Sequence, residues 1–278
     1  MKKTYLSLSV LAIALFTQLS QAQSPWTKEK GKAYVQVGFS GLFYNLAQID
    51  GVKTTLNADY SDVTSQIYTE YGLTDKLEAQ FILPYKFINV TSTVNTNSAS
   101  LSGLGNITLG LKYKIHDKNW KISTGLQYIA NTIESGTGID GKNLSTGFAA
   151  NTFVPYVTAG TSNGKWYYFG NIGYGYMTND YSDYLKFDAE LGYSIVPKGH
   201  LILAFNSKNV VSKEKAFDKN STKWPSYLDR QTYNALGLKF NYEFKQDKFG
   251  ANFAVFGAFG NENAPLAPSL NLGIYTKL

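Results

Sequence analysis

Ten charged residues recur at alternate positions of short segments: Glu70 and Glu78; Lys112, Lys114 and Lys121; Lys186, Asp188 and Glu190; Lys239 and Glu243. Residues two apart share one face of a β-strand, so each group projects to one side. If the Gly72–Lys76 turn closes its hairpin symmetrically, Glu70 faces Glu78, and two neighbouring carboxylates repel unless cations answer them. Lys112, Lys114 and Lys121 fall near the same end, as do Glu243, Lys239 and Lys277 on the far side. A Glu/Lys layer that neutralises itself is predicted there. Lys186, Asp188 and Glu190 follow on the outer to middle part of another segment. In a hollow protein such a set forms a constriction or charge ring; in a filled one it is an ion-pair layer. The mixed signs argue against strong anion or cation selectivity.

Other chemistry has less support. Asp188 and Glu190 could act as a carboxylate pair, but Lys186 beside them makes an ion ladder the better reading. A phospholipase-like hydrolase needs a Ser-His pair oriented by a third polar residue. His116 and His200, the two histidines, both fall at short turns on the presumed periplasmic side, away from the outer leaflet. There is no cysteine, no phosphate loop and no His-Glu-x-x-His helix, so no metal site or cofactor is expected. Nucleic acid is not an expected partner either. Arg230 is the sole arginine among 26 basic residues, and the lysines are scattered over turns and loops.

The elements that carry these residues share one pattern. In "ITLGLKYKIHDKNWKISTGLQYI", residues 107–129, Ile107, Leu109, Leu111, Tyr113 and Ile115 face one way, while Thr108, Gly110, Lys112 and Lys114 face the other. After a polar turn, Trp120, Ile122, Leu126 and Tyr128 oppose Lys121, Ser123, Gly125 and Gln127. Twelve such arms run from Ala33–Phe43 to the closing "LNLGIYTKL". The sixth, about Phe148–Gly160, is the least regular, and Pro155 inside it predicts a bulge or an early end. Inward Gly110, Gly125, Gly173, Gly175 and Gly192 leave room for aromatic neighbours to lean in.

The connections alternate in length. Short turns at Gly72–Lys76, His116–Asn119, Ser162–Gly164, Pro197–Gly199 and Lys245–Lys248 separate longer segments at Asn45–Asp62, Ile88–Gly103, Thr132–Ser145, Thr178–Asp183, Ser207–Arg230 and Gly260–Pro268. A soluble sandwich would cover the apolar faces with a second sheet and would not need this alternation. A transmembrane barrel does, with short turns on the periplasmic side, and its strands must close because hydrocarbon offers no hydrogen bonds. The 21 tyrosines and 17 phenylalanines, against 2 methionines, suit lipid-facing strands and interfacial belts. The first residues, MKKTYLSLSVLAIALFTQLSQAQ, have a basic start, a short apolar run and small residues at Ser20 and Ala22. They read as a signal peptide, residues 1–22, ahead of an outer-membrane barrel domain at 23–278. The fold class is therefore all-β, a closed antiparallel transmembrane β-barrel of about 12 strands.

Three stretches, "WTKEKGKAYVQVGFS", "EYGLTDKLEAQFILPY" and "SGLGNITLGLKYKI", together resemble the outer-membrane channel family named for the meta-pathway of phenol degradation, in its Bacteroidetes-type form. The resemblance covers the first third to half of the chain best. It implies a barrel that passes small, often hydrophobic or aromatic compounds, and it supplies no catalytic residues. The chain departs from many such barrels by ending in Leu278 rather than Phe or Trp. The expectation is a non-enzymatic passive channel whose wall carries the ten charged residues above. Its partners are outer-membrane lipid, lipopolysaccharide and a small solute. Competing readings are a closed loop-display scaffold and, behind it, the hydrolase. The basic Ser207–Arg230 segment is a candidate for binding lipopolysaccharide or folding inward.

Overall fold

The computed structural model describes residues 24–49, 51–212 and 230–278. The signal-peptide reading, residues 1–22, and most of the Ser207–Arg230 connection lie outside the described residues. Twelve antiparallel strands form one closed barrel: β1 Ala33–Ile49, β2 Val52–Gly72, β3 Leu77–Ser92, β4 Thr108–Asp117, β5 Trp120–Ile129, β6 Thr152–Asn163, β7 Trp166–Met177, β8 Tyr184–Val196, β9 Gly199–Val210, β10 Thr232–Lys245, β11 Phe249–Glu262 and β12 Ser269–Lys277. Each pairs with its sequence neighbour, and β1 also pairs with β12, from Tyr34 opposite Lys277 to Ser40 opposite Asn271. That last ladder removes both sheet edges.

The barrel is inverted relative to a soluble protein. Large apolar side chains on its outside are exposed, among them Leu111, Ile172, Leu238 and Ile274. The buried inward positions between them are Gln36, Ser40, Gln66, Gln80, Ser123, Gln127, Thr158 and Asn171, together with charged residues. No second sheet covers the apolar faces, so the sandwich is excluded. Trp120, Trp166 and Tyr168 lie on the outer face near the short-turn end, where an interfacial belt belongs.

The two ends differ. Tight turns link β2 to β3, β4 to β5, β6 to β7, β8 to β9 and β10 to β11 at the end where the chain termini meet. There Ala33 and Leu278 exchange backbone hydrogen bonds of 3.0 and 2.8 Å. Gly164, at φ 59°, supplies the left-handed residue of one of these turns. At the other end β1, β2 and β3 run far past the membrane. The 21 residues of β2 span roughly 70 Å at ~3.3 Å per residue. The Asn45–Asp62 connection expected as a loop is therefore mostly strand, with Ile49 paired to Val52 at its tip and a register shift between Tyr44 and Leu46. Beyond the bilayer both strand faces are wet, and the alternation that marks a strand in sequence fades. Likewise Ser98–Leu104 pairs with β3 and continues the line of β4 outward.

β6 corrects the expectation for the sixth arm. It begins at Thr152, not Phe148, and its register with β7 is the same on both sides of Pro155, so there is no bulge. Residues 148–151 instead end an inward-folded segment, 130–151, that carries a small hairpin, Ser135–Thr137 with Asn143–Ser145. Its Ile139 and Leu144 pack on Leu42, Tyr44, Leu56, Tyr60 and Val90 on the inner side of the extended β1–β3 wall. An apolar cluster thus caps part of the outer mouth.

Lipid contact makes the outer face a sensitive target. Leu238 is 56 % exposed near the middle of β10. Replacing it with arginine is expected to destabilise the barrel by about 2–4 kcal/mol in bilayers, and Leu238→Ala by less. Reversible denaturant unfolding in liposomes checks this.

Candidate functional site: the barrel lumen

Inward charges are arranged as neutral sets. On β2, β3 and β4 the turn register differs from a symmetric hairpin. Glu70 lies opposite Gln80, and Glu78 opposite Gly72 on one side and Lys112 on the other. The fully buried Lys112 ammonium lies 2.8 Å from Glu78 and 3.9 Å from Glu70. It also donates to the carbonyls of Ser24 and Trp26 at 3.2 and 3.0 Å. Two carboxylates and one lysine leave one negative charge, and Lys28 answers it, 2.8 Å from Glu70. Burial works against the Lys28 charge, but Glu70 and Glu78 more than offset it and hold its pKa above the ordinary lysine value.

Lys28, Ser24 and Trp26 belong to a segment that sequence reading treated only as the run-up to β1. It folds into the lumen as a strap. Ser123 on β5 donates to the Pro25 carbonyl at 2.8 Å, and the Lys28 amide donates to Glu78 at 2.8 Å. Trp26 reaches across to β7, with its ring edge-on to Tyr167 and Phe169 at 6.0 and 5.9 Å. The strap thus touches β2, β3, β4, β5 and β7. The sequence signal was the bulky Trp26 beside Lys28 in a stretch without strand alternation.

The other predicted residues divide between the lumen and its rim. Glu190 pairs with Lys239 and Glu243 with Lys277 across the far wall. Lys186 lies 3.1 Å from Asp188, whose oxygens also accept from Asn171 at 3.1 Å and Asn206 at 2.8 Å. Lys86 pairs with Asp62 at 2.9 Å. Asp62 was missed because its segment read as a loop. Lys114 and Lys121 lie elsewhere, at the β4–β5 turn, where both clasp Asp117 at 2.7 and 2.5 Å.

Space remains between these groups. A cavity of about 490 Å³ opens toward the turn end and another of about 190 Å³ toward the loop end; Tyr68 touches both. The wall stays thin because several rings lie flat over a directly opposed glycine. Tyr156 covers Gly125, Tyr184 covers Gly175 and Tyr167 covers Gly192. A Cβ at Gly192 would lie 2.0 Å from the Tyr167 ring.

The family profile described as "Putative MetA-pathway of phenol degradation" matches residues 24–271. The chain belongs to this family. Among solved structures the chain is similar to the COG4313 outer membrane channel from Pseudomonas putida F1, at 16 % identity and TM-score 0.62, over 90 % of this chain and 96 % of that one. That likeness shows the fold, an outer-membrane β-barrel. The KdgM porin aligns at 5 % identity and TM-score 0.49 over 88 % and 97 % of the two chains. The TodX deltaS2S3 mutant, a monoaromatic hydrocarbon channel, aligns at 12 % and 0.47 over 95 % and 94 %. Curated proteins give no match. With its lipid-facing exterior and this fold, the chain is a protein of the bacterial outer membrane.

Lys112 is the fastening of the strap. Lys112→Met leaves Glu78 buried without its cation, and breaking such a pair costs about 3–5 kcal/mol. The chain has no cysteine, so Thr27→Cys gives a unique thiol. Its labelling by a water-soluble maleimide is expected to quicken roughly a hundredfold in the Lys112→Met background. Lys114→Met at the rim should leave it unchanged.

Proposed function

We propose that the barrel is a passive channel for small molecules, with the lumen charges Glu70, Glu78, Lys112, Lys186, Asp188, Glu190, Lys239 and Glu243 as its lining and Lys114 and Lys121 at its periplasmic rim. One observation carries the reading. Two cavities lie along the barrel axis, and the strap and the segment 130–151 fold in to narrow the space between the strands. A barrel built only to display loops would gain by filling this space with apolar side chains. The fold likeness to an outer membrane channel agrees with a conducting role. A mature chain beginning after Ala22 is part of the same proposal, since the strap enters the lumen at Ser24.

The hydrolase is the weaker reading. Ser194 and His200 do meet across β8 and β9, with Oγ and Nε2 3.3 Å apart. No carboxylate among the described residues orients the other ring nitrogen of His200, so the arrangement lacks the third member. It also lies at the turn end, away from the outer leaflet.

Purified, refolded protein in planar bilayers is expected to show discrete openings in KCl; repeated silence from well-folded protein rejects the channel. Removing residues 24–31 is expected to raise the conductance and to shift selectivity toward cations, because Lys28 leaves while Glu70, Glu78 and Lys112 remain. A reversal potential under a KCl gradient reads the sign. Gly192→Val drives the Tyr167 ring off the wall and should lower the conductance of the same channel.

A further inference from the structure

The cavity at the turn end holds more than an electrical path. Its charged lining consists of three lysines and three glutamates, paired as Lys28–Glu70, Lys239–Glu190 and Lys277–Glu243. No charge of either sign is in excess, so nothing there favours an anion or a cation.

The amides between the ion pairs are different. Gln36 on β1 is 1 % exposed, and its Oε1 accepts from Tyr34 at 2.6 Å and from Asn252 at 3.0 Å. Those bonds fix the carbonyl end and leave the Nε2 donor without a hydrogen bond among the described residues. Asn271 on the neighbouring β12 is 2 % exposed, and its Oδ1 acceptor likewise has no partner there. Both side chains line the cavity. One wall therefore holds an unused donor and an unused acceptor on adjacent strands, both shielded from water by their neighbours until the side chains turn toward the cavity. Beside them stands an aromatic group: Tyr34 stacks on Tyr275 at 5.1 Å and meets Tyr68 edge-on at 6.0 Å.

We infer that this cavity is a binding site for a small uncharged solute with several hydroxyl groups, such as a monosaccharide or polyol, on its way through the channel. The inference rests on the channel reading and names its solute class. Hydroxyls donate and accept at once, so one such solute satisfies both the Gln36 donor and the Asn271 acceptor. The C–H face of a sugar ring can lie against a tyrosine ring while its hydroxyls reach the amides. At about 490 Å³ the cavity falls within the size range of small-molecule sites. A hydrocarbon offers neither group a hydrogen bond, and sites built to hydrogen-bond reject ligands that cannot. A charged solute would meet no net attraction and would have to compete with closed ion pairs.

The test uses single channels of the refolded full-length mature protein in KCl, with D-glucose, sodium gluconate or toluene added on the turn-end side. The expected result is a saturable glucose-dependent fall in current, with neither gluconate nor toluene doing the same. Gln36→Leu should raise the half-blocking glucose concentration about fivefold, the loss of one hydrogen bond, read relative to that variant's own glucose-free KCl current. Asn271→Ala is the second variant, and heat-modifiable gel mobility verifies that each barrel is folded. A fall in current that only tracks solution viscosity overturns the solute class and leaves the channel standing, as does saturable block by toluene without block by glucose. Absence of any KCl conductance in the wild type removes the channel and the solute site together.

Discussion

Hydrogen bonding of the backbone in a medium that supplies no partners is the constraint on which this structure depends. Every strand in hydrocarbon needs a neighbour on both sides, and only the ladder between β1 and β12 provides that for the last two edges. Once the sheet is closed, the pleat does the rest. Alternate side chains must face lipid or the enclosed space, and the sequence answers with Leu, Ile, Phe and Val outside and amides, hydroxyls and charges inside. The same closure fixes the termini at one end, because an even number of antiparallel strands returns the chain to its starting side.

The enclosed space then sets a second rule. A charge held there is partly removed from water and is tolerated only where another charge or several dipoles answer it. The lumen obeys this pair by pair. Asp188 gathers Lys186 and two asparagines, Lys86 takes Asp62, and Glu190 and Glu243 each take a lysine from the next strand but one. Such pairs contribute little net stability. Their consequence is a wall without a dominant sign.

Much of this was legible in the sequence, and the parts that were not share a physical cause. Wherever one strand face meets lipid and the other meets the lumen, period-two alternation is strong, and the strand count, most inward faces and the common end of the short turns could be read from it; the sixth strand, with its start misplaced and no face assigned, was the exception. Where both faces are wet, as in the outer extensions of β1, β2 and β3, alternation stops carrying information, and Asp62 was assigned to a loop. Register was beyond reach for another reason. It depends on the backbone of the turn, and the turn after Gly72 displaces Glu78 by two residues from the place opposite Glu70. The strap left no periodic trace, since it is held by carbonyls and by single side chains and not by a ladder.

That difference in how segments are held decides which parts of the molecule can change. A barrel strand is bonded along both edges, and no strand can leave without exposing a row of amides to lipid. The strap is bound by one lysine, one serine, two carboxylates and the edge of one indole. Its departure would not expose backbone to hydrocarbon, because water would enter the lumen behind it. Its cost is instead electrostatic. With Lys28 in place the group Glu70, Glu78, Lys28 and Lys112 is neutral, and without it one carboxylate charge is uncompensated in a narrow space. The strap is therefore both an obstacle and a counter-ion. A movement of the strap that widens the lumen also leaves it one positive charge short, so width and charge balance are tied at that one segment.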